Sequence, residues 1–62
     1  MVTKEEFEKM WNESKQKIKY VCFDFGWIKA TKYRIDINDF VILEYNGKEI
    51  GYVVLEQVYK VD

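Results

Sequence analysis

The chain has 62 residues, room for one small domain, predicted over 1–62, that buries about 60% of its unfolded surface and so needs a dense or shared core. Its composition (48% hydrophobic, 18% aromatic, 34% charged) fits a globular protein and excludes a low-complexity chain. A net charge of −1 argues neither for nor against a polyanionic partner, and a single cysteine, Cys22, excludes an internal disulfide.

The chain opens on a helix, predicted over Val2–Lys17. Thr3 is its N-cap, Glu6 completes a capping box, and Val2 with Phe7 occupies the positions of a hydrophobic staple. The apolar stripe is Phe7, Met10, Trp11 and Ile18, with Ser14 as its small member. Lys15 and Lys17 are placed at the negative end of the helix dipole, and Glu5–Lys9 and Glu13–Lys17 are spaced as ion pairs. Mixed charge on the polar face points to packing on a sheet in preference to a membrane.

Lys19–Phe25 alternates and is rich in β-formers, with Val21, Phe23 and Phe25 on one face and Tyr20, Cys22 and Asp24 on the other. Gly26-Trp27 interrupts that pattern, so residues 26–30 are predicted as a loop. Alternation resumes over Thr31–Ile37, with Tyr33, Ile35 and Ile37 opposite Lys32, Arg34 and Asp36, and Asn38-Asp39 supplies a turn.

Residues 39–62 read as a β-hairpin around Asn46-Gly47, the pair best suited to a type I′ turn. That turn sets Tyr45 against Lys48, Glu44 against Glu49, Leu43 against Ile50, and Val41 against Tyr52. Tyr45 and Tyr52 then share a face with Val41, Leu43, Ile50 and Val54. Gly51, opposite Ile42, is a candidate bulge, and a run as long as 48–61 calls for a bend near Glu56-Gln57. The predicted class is α+β, order α-β-β-β-β: one N-terminal helix on a four-stranded antiparallel meander. The meander either leaves one face open or curls into a partial barrel.

Catalysis has little to stand on. Histidine is absent, no glycine-rich phosphate loop is present, and Ser14 has no base in reach. Cys22 reads as a structural thiol. Asp36 with Asp39, and Glu44 with Glu49, lack the ligand number of a calcium site. A non-enzymatic protein with no cofactor and no metal is expected. No signal-peptide pattern or membrane-length apolar run is visible, so a reducing, cytoplasmic setting is expected.

Binding is the remaining class. One short helix covers one face of a four-stranded sheet, and eleven aromatics exceed the needs of so small a core. The uncovered face is expected to meet another protein, with a homodimer as one form of that contact. Trp27, Tyr33 and Arg34 form one candidate cluster if the segment after Gly26 folds over the next strand, with Tyr45 and Tyr52 as its rival. The competing reading of Trp27 is a plug at the end of the sheet. The alternative function is nucleic-acid binding by the basic middle, where Lys15, Lys17, Lys19, Lys29 and Lys32 interleave with Tyr20. Nine lysines against Arg34 alone suggest an AT-rich genome, and by analogy a phage or mobile-element inhibitor of a host protein.

RIDINDFVILEYNGKEIGYVV (residues 34–54) resembles the strand–turn–hairpin of PUA- and ASCH-like RNA-binding domains. Those domains usually carry glycine where Asn38 stands here, and their remaining strands are not found. The resemblance implies a hairpin in a small β-barrel module and transfers no function.

Overall fold

The computed structural model describes residues 2–62, which form one α-helix, six strands and one 3-10 turn, an α+β domain. The helix, α1 (Lys4–Glu13), is followed by β1 (Lys19–Phe23), β2 (Gly26–Ala30), β3 (Lys32–Ile35), β4 (Phe40–Tyr45) and β5 (Lys48–Val54). A 3-10 turn at Leu55–Gln57 leads into β6 (Val58–Val61). Two three-stranded antiparallel sheets result, ordered β2-β1-β6 and β3-β4-β5. The single four-stranded meander expected from the sequence is thus corrected.

The division arises at two corners. Thr31 separates β2 from β3 by a single residue. Its N–H donates to the Glu44 carbonyl at 2.7 Å, and its hydroxyl accepts from the Asn46 N–H at 2.9 Å. The chain therefore leaves the first sheet and enters the second without a loop. The other corner is the 3-10 turn, at the bend expected near Glu56-Gln57. It carries the chain from β5 back to β1, where Tyr20 and Asp62 exchange both backbone hydrogen bonds at 3.0 and 2.9 Å.

Between the sheets lies the core of Phe7, Val21, Ala30, Val41, Leu43, Val53, Leu55 and Val58. The helix packs mainly against β6. It delivers Phe7 into the core and sets Trp11 against Tyr33 of β3, with ring centroids 4.7 Å apart. Neither sheet has the helix on its outer face, because Phe7 packs with inward residues of both.

The start of the helix follows its sequence signals. Thr3 is the N-cap, its hydroxyl accepting from the Glu6 N–H at 3.1 Å, and the Glu6 carboxylate accepts from the Thr3 N–H at 2.9 Å. The bond from the Thr3 N–H first, and then the Thr3 side chain, hold the Glu6 carboxyl below the ordinary glutamate value. Its contribution to stability is therefore present above the unfolded value and lost as pH falls through the lowered folded value. Thr3→Ala is expected to cost about 0.5–2 kcal/mol at neutral pH in a thermal melt. Glu6→Gln should flatten the loss of stability on acidification; an unaltered acid limb would exclude the carboxylate from the cap.

The helix ends early, at Glu13, with Ser14 in extended conformation as its C-cap. Lys15 and Lys17 lie beyond it, Ile18 leaves the stripe, and Glu13–Lys17 is not a helical pair. The cation at the negative end is Lys19 of β1, whose ammonium donates to the carbonyls of Ser14, at 3.0 Å, and Gln16. A strand residue thereby does what the sequence assigned to the last helical turn.

Strand limits differ for local reasons. Asp24-Phe25 is a two-residue turn, so residues 26–30, expected to be a loop, form β2 paired in register with β1. Phe25 and Ile37, expected on apolar strand faces, are turn residues 84% and 98% exposed. The turn after β3 is closed by Asp36, whose carboxylate accepts from the N–H groups of Asn38 and Phe40 at 2.9 and 3.0 Å.

The Asn46-Gly47 turn forms as expected, with φ of 51° and 86°, and Tyr45 pairs with Lys48 and Glu44 with Glu49. Beyond that point the register slips. Leu43 faces Gly51, Ile42 faces Tyr52, and Val41 faces Val53. Ile50 is the extra residue of a bulge, and the predicted Leu43–Ile50 and Val41–Tyr52 pairs are corrected. Gly47→Val is expected to cost about 1–3 kcal/mol, since a β-branched residue strains at positive φ. Lys48→Val, on the exposed strand end, should cost far less. Equal shifts of the urea midpoint would contradict this account of the turn.

Candidate functional site

The bulge decides which side chains share the outer face of β3-β4-β5. Without it Tyr52 would point inward with Val41 and Leu43; with it Val53 takes that place, 4% exposed. Tyr52 turns outward and stands 64% exposed. Tyr45 and Tyr52 are therefore on opposite faces, and the predicted pair is corrected. Arg34, Ile42 and Tyr52 instead form one row across the three strands. Phe40 meets Tyr52 edge to face at 5.3 Å, and Val54 lies opposite Phe40. At the border of this patch Arg34 reaches Glu49 at 3.4 Å, both side chains more than half exposed, a pair of small energetic weight.

Tyr33 belongs elsewhere. It faces inward from β3, makes an edge contact with Phe7 at 4.8 Å and lies 4.7 Å from Trp11, the three rings forming one triangle. Burial, then the Glu8 carboxylate, pushes its phenol upward. The predicted cluster of Trp27, Tyr33 and Arg34 is thus divided among the first sheet, the core and the second sheet. Trp27 is not a plug either. It projects outward from β2, 60% exposed, and meets Tyr20 edge to face at 5.2 Å.

The outer face of β2-β1-β6 has a different character. Trp27, Cys22 and Lys60 form one row, and Lys29 and Tyr20 lie in the next. Cys22 is buried on this face, outside the core cluster. Burial and then Asp62 push its thiol upward against the opposing effect of Lys60, the condition of an inert thiol. Lys60 pairs with Asp62 at 3.2 Å, a bond that holds its ammonium above the ordinary value. The Lys29 ammonium stands 5.4 Å from the Tyr45 ring centroid.

The basic residues chosen from the sequence do not form one surface. Lys15 and Lys17 lie in the connection after α1, Lys19 is bound to the helix end, and Lys32 is on the second sheet; Tyr20 and Lys29 alone come together. Sequence reasoning passed over Phe40, Ile42, Tyr59 and Lys60. Alternation within β4 carried a signal for the first two; the β1–β6 pairing that places the others has none.

Among the described residues no group of three or more acidic or thiol side chains converges as a metal site. No helix among them is long and apolar enough to cross a membrane. No protein family, curated protein or solved structure matches the chain.

Proposed function

We propose that this chain is a non-enzymatic module that binds another protein through the outer face of β3-β4-β5. The observation that carries the reading is the row Arg34–Ile42–Tyr52, extended by Phe40 and Val54 into an apolar surface that the helix does not cover. Aromatic and arginine side chains around an aliphatic centre, with charges at the border, match the anatomy of a protein interface. Lys32, Glu44 and Glu49 provide such a border. Tyr52 is the expected hot spot, since it sets a large ring with a polar tip beside Ile42 at the centre of the patch and against Phe40.

The test is affinity capture from the native host by wild type, Tyr52→Ala and Trp27→Ala, with recovered proteins identified by mass spectrometry. One protein should be retained by wild type and Trp27→Ala. Tyr52→Ala should lose it, with affinity lowered by at least about 2 kcal/mol and little change in melting temperature. Retention undiminished by Tyr52→Ala, or recovery of nucleic acid without protein, would overturn the reading. Light scattering of the purified chain separates a foreign partner from a second copy on the same face: a dimer dissociated by Tyr52→Ala would identify the homodimer.

A further inference from the structure

The outer face of β2-β1-β6 lacks the aliphatic centre of the other sheet. Its outward residues are Trp27 and Lys29 from β2, Tyr20 and Cys22 from β1, and Lys60 from β6. Tyr59, the extra residue where the β1–β6 register shifts, stands 60% exposed beside Lys60. No valine, leucine or isoleucine of these strands points outward among them, because Val21, Ile28, Val58 and Val61 face the core or pack against it. The ammonium groups of Lys29 and Lys60 beside these rings count against the centre of a protein interface, where charged residues, lysine among them, are depleted.

We propose that this face binds single-stranded nucleic acid, with bases stacked on Trp27 and Tyr20 and phosphates met by Lys29 and Lys60. Base stacking on aromatics tolerates any sequence, and lysines beside the rings follow the backbone. Adjacent strands lie about 4.8 Å apart, so Trp27 and Lys60, two strands from each other in one row, are separated by about 10 Å at the backbone. The net charge of −1 does not oppose this, because the acid is concentrated elsewhere. Glu5, Glu6, Glu8 and Glu13 all belong to α1, which lies on neither outer face. Carboxylates near the face are Asp24 at the β1–β2 turn and Asp62, the latter already paired with Lys60. That exposed pair exchanges for a phosphate at little cost. This inference concerns a different face from the protein-binding surface and stands independently of it.

The test uses the full chain carrying Trp11→Phe, so that Trp27 is the only indole, titrated with a ten-residue oligothymidylate at low salt. Saturable quenching is expected, and binding should weaken with added salt by a logarithmic slope of about −0.7 per phosphate neutralised. Lys29→Gln with Lys60→Gln should remove about 1.4 from that slope. By anisotropy of labelled oligonucleotide, Trp27→Ala should weaken binding about 5- to 150-fold with an unchanged circular dichroism spectrum. No saturation by about 100 µM, the weak end of non-specific binding, would overturn the proposal. So would undiminished binding by Trp27→Ala. Equal affinity for a ten-residue polyaspartate would also overturn it, marking a site for acidic protein segments.

Discussion

Phe7→Ala is expected to remove most of the cooperative unfolding transition. Phe7 is fully buried, stacks near Trp11 at 6.1 Å, meets the edge of Tyr33, and packs with Val21, Leu43 and Val58. Truncating such a ring costs about 3–5 kcal/mol. At roughly 0.05–0.15 kcal/mol per residue, a domain of 62 residues has about 3–9 kcal/mol in total. The helix has ten residues, too few to persist in water once its anchor is gone. Far-ultraviolet circular dichroism during heating checks this. A melting temperature lowered by less than about 10 °C would show that the sheets hold together without the helix, since each kcal/mol is worth about 4–8 °C at this size.

What could be read in advance were features whose causes lie within a few residues. Thr3 and Glu6 specify the helix start because both partners of the cap are three positions apart. Asn46-Gly47 specifies its turn because both residues accept positive φ. The helix end was misplaced because its carbonyls are bound by Lys19, a residue of the next strand. β2 was missed because Asp24-Phe25 turns the chain without an asparagine–glycine signal. Thr31 makes a corner through bonds to Glu44 and Asn46, more than ten residues away and without a glycine or proline to mark it. The pairing of β6 with β1 sets Val21 against Val61, about forty residues apart, where neither alternation nor turn chemistry specifies a partner.

The candidate surfaces were harder still, because one extra residue inverts a strand. Gly51 marks a candidate bulge in the sequence, but its residue type does not say where the ladder slips, and a regular ladder puts Tyr52 on the wrong face. The slip at Ile50 exchanged Tyr52 for Val53 on the inner side and united Arg34 with Tyr52, which the sequence had placed in rival clusters. Side-chain identity was sound; direction was not. The two-residue period of a strand does not survive an inserted residue.

Tyr33→Ala and Trp27→Ala are expected to separate sharply in stability, although the sequence put both residues in one binding cluster. Tyr33 packs against both Phe7 and Trp11 of the helix, so its loss opens a gap under the helix. It is half-buried, and its cost is set at about 2–4 kcal/mol, below that of a wholly enclosed ring. Trp27 has its larger part in solvent and one ring contact, with Tyr20, so its loss should cost less than about 1 kcal/mol. Tyr33→Phe should be nearly neutral, because no side chain or backbone group among the described residues hydrogen-bonds the hydroxyl, and burial already disfavours its ionised form. Urea unfolding of the three variants checks this directly. A larger loss for Trp27→Ala than for Tyr33→Ala would place the indole inside the packed structure and remove it from any surface role.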